Sequence, residues 1–507
     1  MQGAEMTTSE YQQLRQVLAE ISDINAIGAL LNYDQSTIMP TGGAEGRGRQ
    51  MALISRMSHE KFTAPQVGHL LEQLQKQVEH WDQASLEATV VRVTAKDYTQ
   101  ATQVPGEFVS AFTEHANTSY MAWAEARPAN DFARMVPLLE KTLDMSRQLS
   151  AYYGAGAHIA DPLIDMADSG MTVAALRPLF ATLRAGLVPM VDAICAQTPA
   201  DDACLRGPFP VREQIDFATQ LAAAIGYDTN RGRLDTSPHP FCSRLHYGDV
   251  RMTTRAREDD LGDAIFSVIH ETGHAVYEQG VAFELEGTPL ASGTSSGVHE
   301  SQSRLWENIV GRSRGFWEIH YPRLQAAFPT QLGAVSLDTF YRAINKVSRS
   351  LIRTDADEVT YNLHVIIRFE LELALLEGSL AVKDLAEAWR ARYTSDLGIA
   401  PADNRDGVLQ DVHWYAGTIG GAFQGYTIGN VMSAQIYEAA LAGDTTIAPA
   451  LAQGNYAPLL GWLQHHLYAT GRRYDAPTTL HRVTGSSLSV EPYFRYLKAK
   501  YGQLYQL

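Results

Sequence analysis

The chain has 507 residues, of which 45% are apolar and 19% charged, a globular composition that excludes disorder, collagen and coiled coil as its main state. The 41 Lys and Arg against 57 Asp and Glu give a net charge of −16, the wrong sign for a nucleic-acid scaffold or an anionic membrane surface. No uninterrupted apolar run reaches the ~18–20 residues of a membrane span, and the opening MQGAEMTTSEYQQLRQVL lacks a basic stretch followed by an apolar one, so no secretory signal is expected.

From residue 9 onward the chain reads mostly as helix. Tyr11, Leu14, Val17, Leu18, Ile21, Ile24 and Ile27 form the stripe of an amphipathic helix over 9–32. Similar patterns predict helices near 50–77, 82–98, 106–126, 131–152, 172–196, 212–226, 262–280, 299–320, 338–350, 356–377, 382–396, 428–442, 456–467 and 490–503. The stretches 227–243 and 284–298 read as loops. Between them, 243–256 alternates in the strand manner, with Tyr247-Gly248-Asp249 as a turn. Cys195, Cys204 and Cys242 are an odd, widely spaced set, which fits a reducing cytoplasm and no disulfide framework. No linker, repeat or low-complexity tract interrupts the chain. The expectation is mainly α: one large helical domain over 1–507, with a small β element about 243–256 beside the helix 262–280.

Residues 270–274 read His-Glu-Thr-Gly-His. On a helix, His270 and His274 share one face, and both imidazoles can meet one cation at about 2.0–2.1 Å. Glu271 sits about 100° round the helix, the position of a general base acting on metal-activated water. The run Ile265, Phe266, Val268 and Ile269 marks a buried helix, in which two histidines and a glutamate need partners. A metal is one answer; two structural histidines capping carbonyls are the other. A zinc site needs a third protein ligand and an open position. Glu300, opening the helical HESQSRLWENIVGR, is the choice, with Glu278 and Glu307 as alternatives and His299 as a supporting or substrate-facing donor.

These residues carry a resemblance. His239-Pro240-Phe241 matches an HPF motif, and Asp249 to Thr253 a DxRxT. His299 to Gln302 matches HES/GQ, Ile352 to Asp357 IRxxAD, and Gly407 to Trp414 GxxQDxHW, all in order. Asn32 to Gln35 through Met39-Pro40 is similar to a WDQ…MP stretch, with Tyr33 for Trp. The chain resembles the thermostable carboxypeptidase (carboxypeptidase Taq) family of metallocarboxypeptidases over nearly its whole length. After His413-Trp414 the family's FGYFPTY-like run is replaced by Gly420 to Tyr426, and Tyr426 is the natural counterpart of a substrate-facing tyrosine. The resemblance implies an all-α, clam-like fold with a deep groove, a homodimer, Zn2+ or Co2+, and release of single C-terminal residues from peptides with broad tolerance. It implies His270, His274 and Glu300 as ligands and Glu271 as base.

A carboxypeptidase must grip a free carboxylate, which favours an arginine fork. Arg353 is the first candidate, with an ion pair to Asp355, Asp357 or Glu358 as its structural alternative. Arg251 is the second, with bracing of the hairpin through Asp249 as its alternative. An edge strand in the hairpin would read peptide main chain; a plain connector is the other reading. His239, His413 and Tyr426 are candidate donors to the oxyanion. The competing functions are a helical zinc endopeptidase or oligopeptidase, which lacks a carboxylate clamp, and a non-catalytic metal-stabilised scaffold.

Overall fold

The computed structural model describes residues 9–154 and 156–507; the first eight residues of the stretch read for a signal lie outside them. About 69% of the chain is helical, in 22 helices with one small three-stranded sheet among the described residues. The mainly α expectation therefore holds.

Element ends differ where local chemistry overrides periodicity. The helix expected over 50–77 is two, Ala44–Phe62 and Pro65–Val78, because Pro65 has no N–H to donate and holds Ala64 extended. The helix expected over 299–320 is Ser296–Arg304, then a π-helical turn Leu305–Val310, then Arg314–Ala327. Ser313 caps the last piece by accepting from the Phe316 N–H. Helices of four to seven residues, such as Asp161–Ala167 and His413–Ala416, are too short to show a period. Val173–Cys195 is long and apolar enough to cross a membrane by length and composition alone. It buries Leu176, Phe180, Leu183 and Leu187 along one face and pairs Arg184 with Asp396, so one face of it packs against the rest of its unit.

The chain divides into two compact units. The first runs to Gln103 and takes in Phe209–Thr294 and Thr446–Tyr474. Tyr11, Leu14 and Leu18 of the helix Ser9–Thr37 pack there with Val67, Leu71 and Leu74, and with Val90, Val91, Leu285 and Leu290. Its sheet comprises β1 (Leu234–Thr236), β2 (Cys242–His246) and β3 (Asp249–Thr254), in the order β1-β3-β2. β2 and β3 form the expected hairpin; β1, parallel to β3, falls in a stretch expected as loop, because three residues are too few for alternation to register. The histidine helix, Leu261–Gly280, packs on β2 and β3.

The second unit is Val104–Pro208, Ser295–Thr445 and Asp475–Leu507. Its central helix, Tyr361–Glu377, is buried on nearly every side. A buried polar network lies against it. The Lys500 ammonium lies 2.7 Å from Glu358 Oε2, which also accepts from the Tyr501 hydroxyl at 2.8 Å. Asn430 donates to Asn362, and Asn362 to the Tyr493 hydroxyl, at 3.0 and 2.9 Å. Both charges are nearly inaccessible (7% and 2% exposed), so each depends on the other. Lys500→Met is expected to strand the Glu358 charge and cost about 3–5 kcal/mol, read as a lower urea midpoint; an unchanged midpoint would show that the pair contributes nothing.

Candidate metal centre

Asp260 caps the histidine helix by accepting from the backbone of Gly262 and Asp263. Leu261, Ile265, Val268 and Ile269 are almost fully buried, so packing fixes the rotation of the helix and hence the direction of its histidines. The His270 and His274 rings stand 4.9 Å apart at 81°, as one helical turn dictates. Glu271 between them is buried. The Cys242 thiol on β2 is pushed well above its usual pKa by burial, with the charges of Glu271 and Glu278 adding to it, which puts Glu271 within electrostatic reach of the sheet. Glu278, one turn further on, accepts from the Gly293 N–H at 3.0 Å and lies 3.4 Å from Arg244. That guanidinium also grips Glu286 through both carboxylate oxygens, and Glu278 is thus committed to bracing.

The glutamate helix, Ser296–Arg304, is capped by Ser295, which accepts from the Val298 N–H. Glu300 is buried; its Oε1 lies 2.7 Å from Arg304 Nε and its Oε2 accepts from the Ser303 hydroxyl at 3.0 Å. Glu307 is shared between Arg304 (3.2 Å) and Arg312 (3.1 Å) and does not join the group of converging ligand atoms. His270, His274 and Glu300 each offer one ligand atom, and these atoms lie within 4.8 Å of one another. Two imidazoles and one carboxylate are the donor set of a zinc-type site with a position to spare.

A second cluster surrounds Asp411. Its Oδ2 accepts from Arg353 Nε at 2.7 Å and Arg368 Nε at 3.1 Å, and its Oδ1 from His413 Nδ1 at 2.5 Å. Burial works to raise this carboxyl, but the His413 bond and the Arg368 and Arg353 charges overrule it and hold it well below the usual carboxylate range. Arg353 also donates from Nη1 to the Tyr361 hydroxyl at 3.0 Å, leaving Nη2 without a hydrogen bond among the described residues. Asp411 is the partner of Arg353, rather than Asp355, Asp357 or Glu358: the 3-10 turn Arg353–Asp355 carries the guanidinium away from its own acidic neighbours. Tyr426, at the start of the tyrosine helix Gln424–Gly443, lies under the Arg353 guanidinium at 5.2 Å and 3.5 Å from His413 Nε2. Burial and the neighbouring Tyr361 push its phenol up to about 12.

A family model described as carboxypeptidase Taq (M32) metallopeptidase matches residues 13–501. The chain belongs to this family. It is 41% identical over 505 residues to thermostable carboxypeptidase 1 of Thermus thermophilus, covering 98% of this chain and 99% of that one. Among solved structures it is similar to an M32 carboxypeptidase from Deinococcus radiodurans (TM-score 0.96, 48% identity, 99% and 100% of the two chains covered). It is also similar to metallocarboxypeptidase 1 of Trypanosoma cruzi (TM-score 0.92, 30% identity, 97% and 99% covered). The chain is thus a metallocarboxypeptidase, a hydrolase of peptides.

In this carboxypeptidase Arg353, His413 and Tyr426 come together, and Arg251 and His239 lie in the other unit. Arg251 on β3 is paired through Nε and Nη2 with Asp249 at 2.8 and 2.7 Å, the bracing role weighed for it. His239 is exposed in the loop ahead of β2, and His299 is half-buried beside Glu300. Sequence reasoning left Asp411, Arg304 and Glu372 without roles. Asp411 stood inside a quoted motif, and Arg304 carried the helical spacing to Glu300 and Glu307; Glu372 gave no signal, since its partner Trp414 is 42 residues away.

Glu372 shows what burial does here. It accepts from the Trp414 indole N–H at 2.7 Å, and the Gly420 backbone also helps to stabilise its charge. Burial pushes its pKa up from 4.5 to about 7, against the Trp414 bond and the Arg368 charge. The folded chain therefore holds a proton that the unfolded chain releases between about pH 4.5 and 7, and stability falls as pH rises through that window. Glu372→Gln keeps the acceptor and removes the penalty. A gain on the order of 2–3 kcal/mol at pH 8, vanishing near pH 4.5, is expected in thermal denaturation across pH; an equal effect at both ends would contradict it.

Proposed function

We propose that this metallocarboxypeptidase releases single amino acids from the free C-terminus of peptides, with broad side-chain tolerance. His270, His274 and Glu300 would hold Zn2+, with Co2+ as a competent substitute. The observation that carries the reading is the convergence of these three ligand atoms beside Glu271. The ion, when bound, supplies a Lewis acid and lowers the pKa of water toward ~7.

Glu271 acts as general base: it takes the proton of the attacking water and returns it to the leaving amine. Its place on the buried helix between the two histidines supports this. Arg353 holds the substrate carboxylate through Nη2, with Asp411 fixing the plane of the guanidinium. The Asp411 carboxylate also keeps the proton of His413 on Nδ1, and the Tyr426 phenol stays protonated at neutral pH. Tyr426 is the donor proposed for the oxyanion; His413, whose neutral ring keeps its proton for Asp411, joins it only when Nε2 is protonated as well. Arg251 and His239 are proposed as further substrate contacts, and the edge of β2 without a strand partner as the place where peptide main chain is read. Reading main chain rather than side chains accounts for the tolerance. We further propose that the whole chain works as one catalytic domain, as a homodimer in the cytoplasm; its three free thiols support a reducing compartment.

Glu271→Gln is expected to retain its metal, measured by mass spectrometry, while kcat/KM falls about 10²–10⁴-fold. Unchanged turnover would remove Glu271 as the base. A peptide and its C-terminal amide separate exopeptidase from endopeptidase: the amide should resist cleavage, and Arg353→Lys should raise KM for the free acid about tenfold or more. Internal fragments, or equal cleavage of both, would replace the reading with an endopeptidase.

A further inference from the structure

Asp168 is a fully buried carboxylate far in sequence from every residue assigned above. It ends the short helix Asp161–Ala167 and makes no ion pair. Instead Oδ1 accepts from the Gly297 N–H at 2.6 Å and Oδ2 from the Gln424 side-chain amide at 3.0 Å. Gly297 lies in the first turn of the glutamate helix, one turn before Glu300. Gln424 opens the tyrosine helix, two residues before Tyr426. A backbone N–H at the start of the glutamate helix and a side-chain amide at the start of the tyrosine helix therefore converge on one carboxylate, which the dipole of the glutamate helix also stabilises.

The two helices meet where side chains are missing. A Cβ on Gly297 would fall 2.6 Å from Ile428 Cγ2, and one on Gly425 2.9 Å from Ser296 Cβ. One on Gly429 would fall 2.6 Å from Glu300 Cγ. Ser295, just ahead, is held at φ +44°, a region that non-glycine residues rarely enter and that only surrounding contacts sustain. Its hydroxyl also helps to stabilise the Asp168 carboxylate.

We propose that Asp168 is a positioning residue: it clamps the first turns of the glutamate and tyrosine helices together and so fixes the Glu300 carboxylate for the metal. This rests on the reading of Glu300 as a ligand. A buried charge without a cation is costly to keep, and burial raises its pKa against those hydrogen bonds. What the charge secures is the register of two helices in which Glu300 has no slack against Gly429.

The test uses Co2+ as probe, with affinity read by chelator competition and apo-protein stability read separately by thermal denaturation. Asp168→Asn keeps the shape but sets an NH2 against a donor. It is expected to weaken Co2+ binding about 10–100-fold. Lower thermal stability with unchanged Co2+ affinity would make Asp168 merely structural and overturn the inference. Glu300→Ala serves as reference: unchanged affinity there would overturn the ligand reading itself. In a Glu300→Ala background, Asp168→Asn should weaken Co2+ no further; an additive loss would show that Asp168 does not act through Glu300. Should Asp168→Asn fail to fold, Gly429→Ala, which presses on Glu300 from the other side, is expected to give the same loss, and normal affinity in it would equally overturn the inference.

Discussion

Glu300 meets the backbone of a neighbouring helix at a point where only a hydrogen atom fits. Gly429 faces its Cβ and Cγ, and the second unit is built to keep that approach. Gly425 and Gly429 sit inside a helix, where each costs about 1 kcal/mol against alanine. That cost is offset by the burial of two helix faces brought into contact. The residue after Gly429 continues the arrangement, because Asn430 leads through Asn362 and Tyr493 to the Glu358–Lys500 pair. The tyrosine helix is thus held on one side by close packing and on the other by a directional polar network, and it has little freedom to rotate.

Asp411 organises the other cluster by charge. Two guanidiniums and one imidazole converge on a single carboxylate, which is net favourable only because each oxygen is fully engaged. The arrangement divides the labour of Arg353. Nε and Nη1 are committed to Asp411 and Tyr361, so the side chain loses little further freedom when Nη2 takes on a partner. Gln410 stands behind both guanidinium-bearing segments, accepting from the Arg353 N–H and from Arg368. An adjacent pair, Gln410-Asp411, therefore fixes backbone and side chain together.

Much of this was legible in the sequence, for definite reasons. The histidine helix was, because a spacing of four residues and a buried apolar run state the same geometry twice. Long helices such as Gly106–Ala126 were, because their stripes run for five or more turns. β1 was not, because its three residues gain their strand character from β3. Nor was the split at Pro65, where a continuous apolar pattern hid a local break that proline imposes. Arg353 could be chosen for its chemistry, but its partner lies 58 residues away at Asp411, and pairing across that distance leaves no periodic trace. Asp168 left the least signal: a single aspartate after a seven-residue helix looks like any loop residue until Gly297 and Gln424 are brought to it.

The charges around Glu300 explain how a carboxylate can be tied to an arginine and still suit a cation. Arg304 engages Oε1 along the helix and lies 4.7 Å from the centre of the Tyr361 ring, while Glu307 shares Arg304 and also pairs with Arg312. Two anions and two guanidiniums leave that local group near neutrality. A dication added beside it would be opposed by Arg304 and favoured by Glu300 at shorter range. The guanidinium weakens the donor somewhat, yet it fixes the plane of the carboxylate. Such an arrangement favours a set geometry for the carboxylate over the tightest possible grip on a cation.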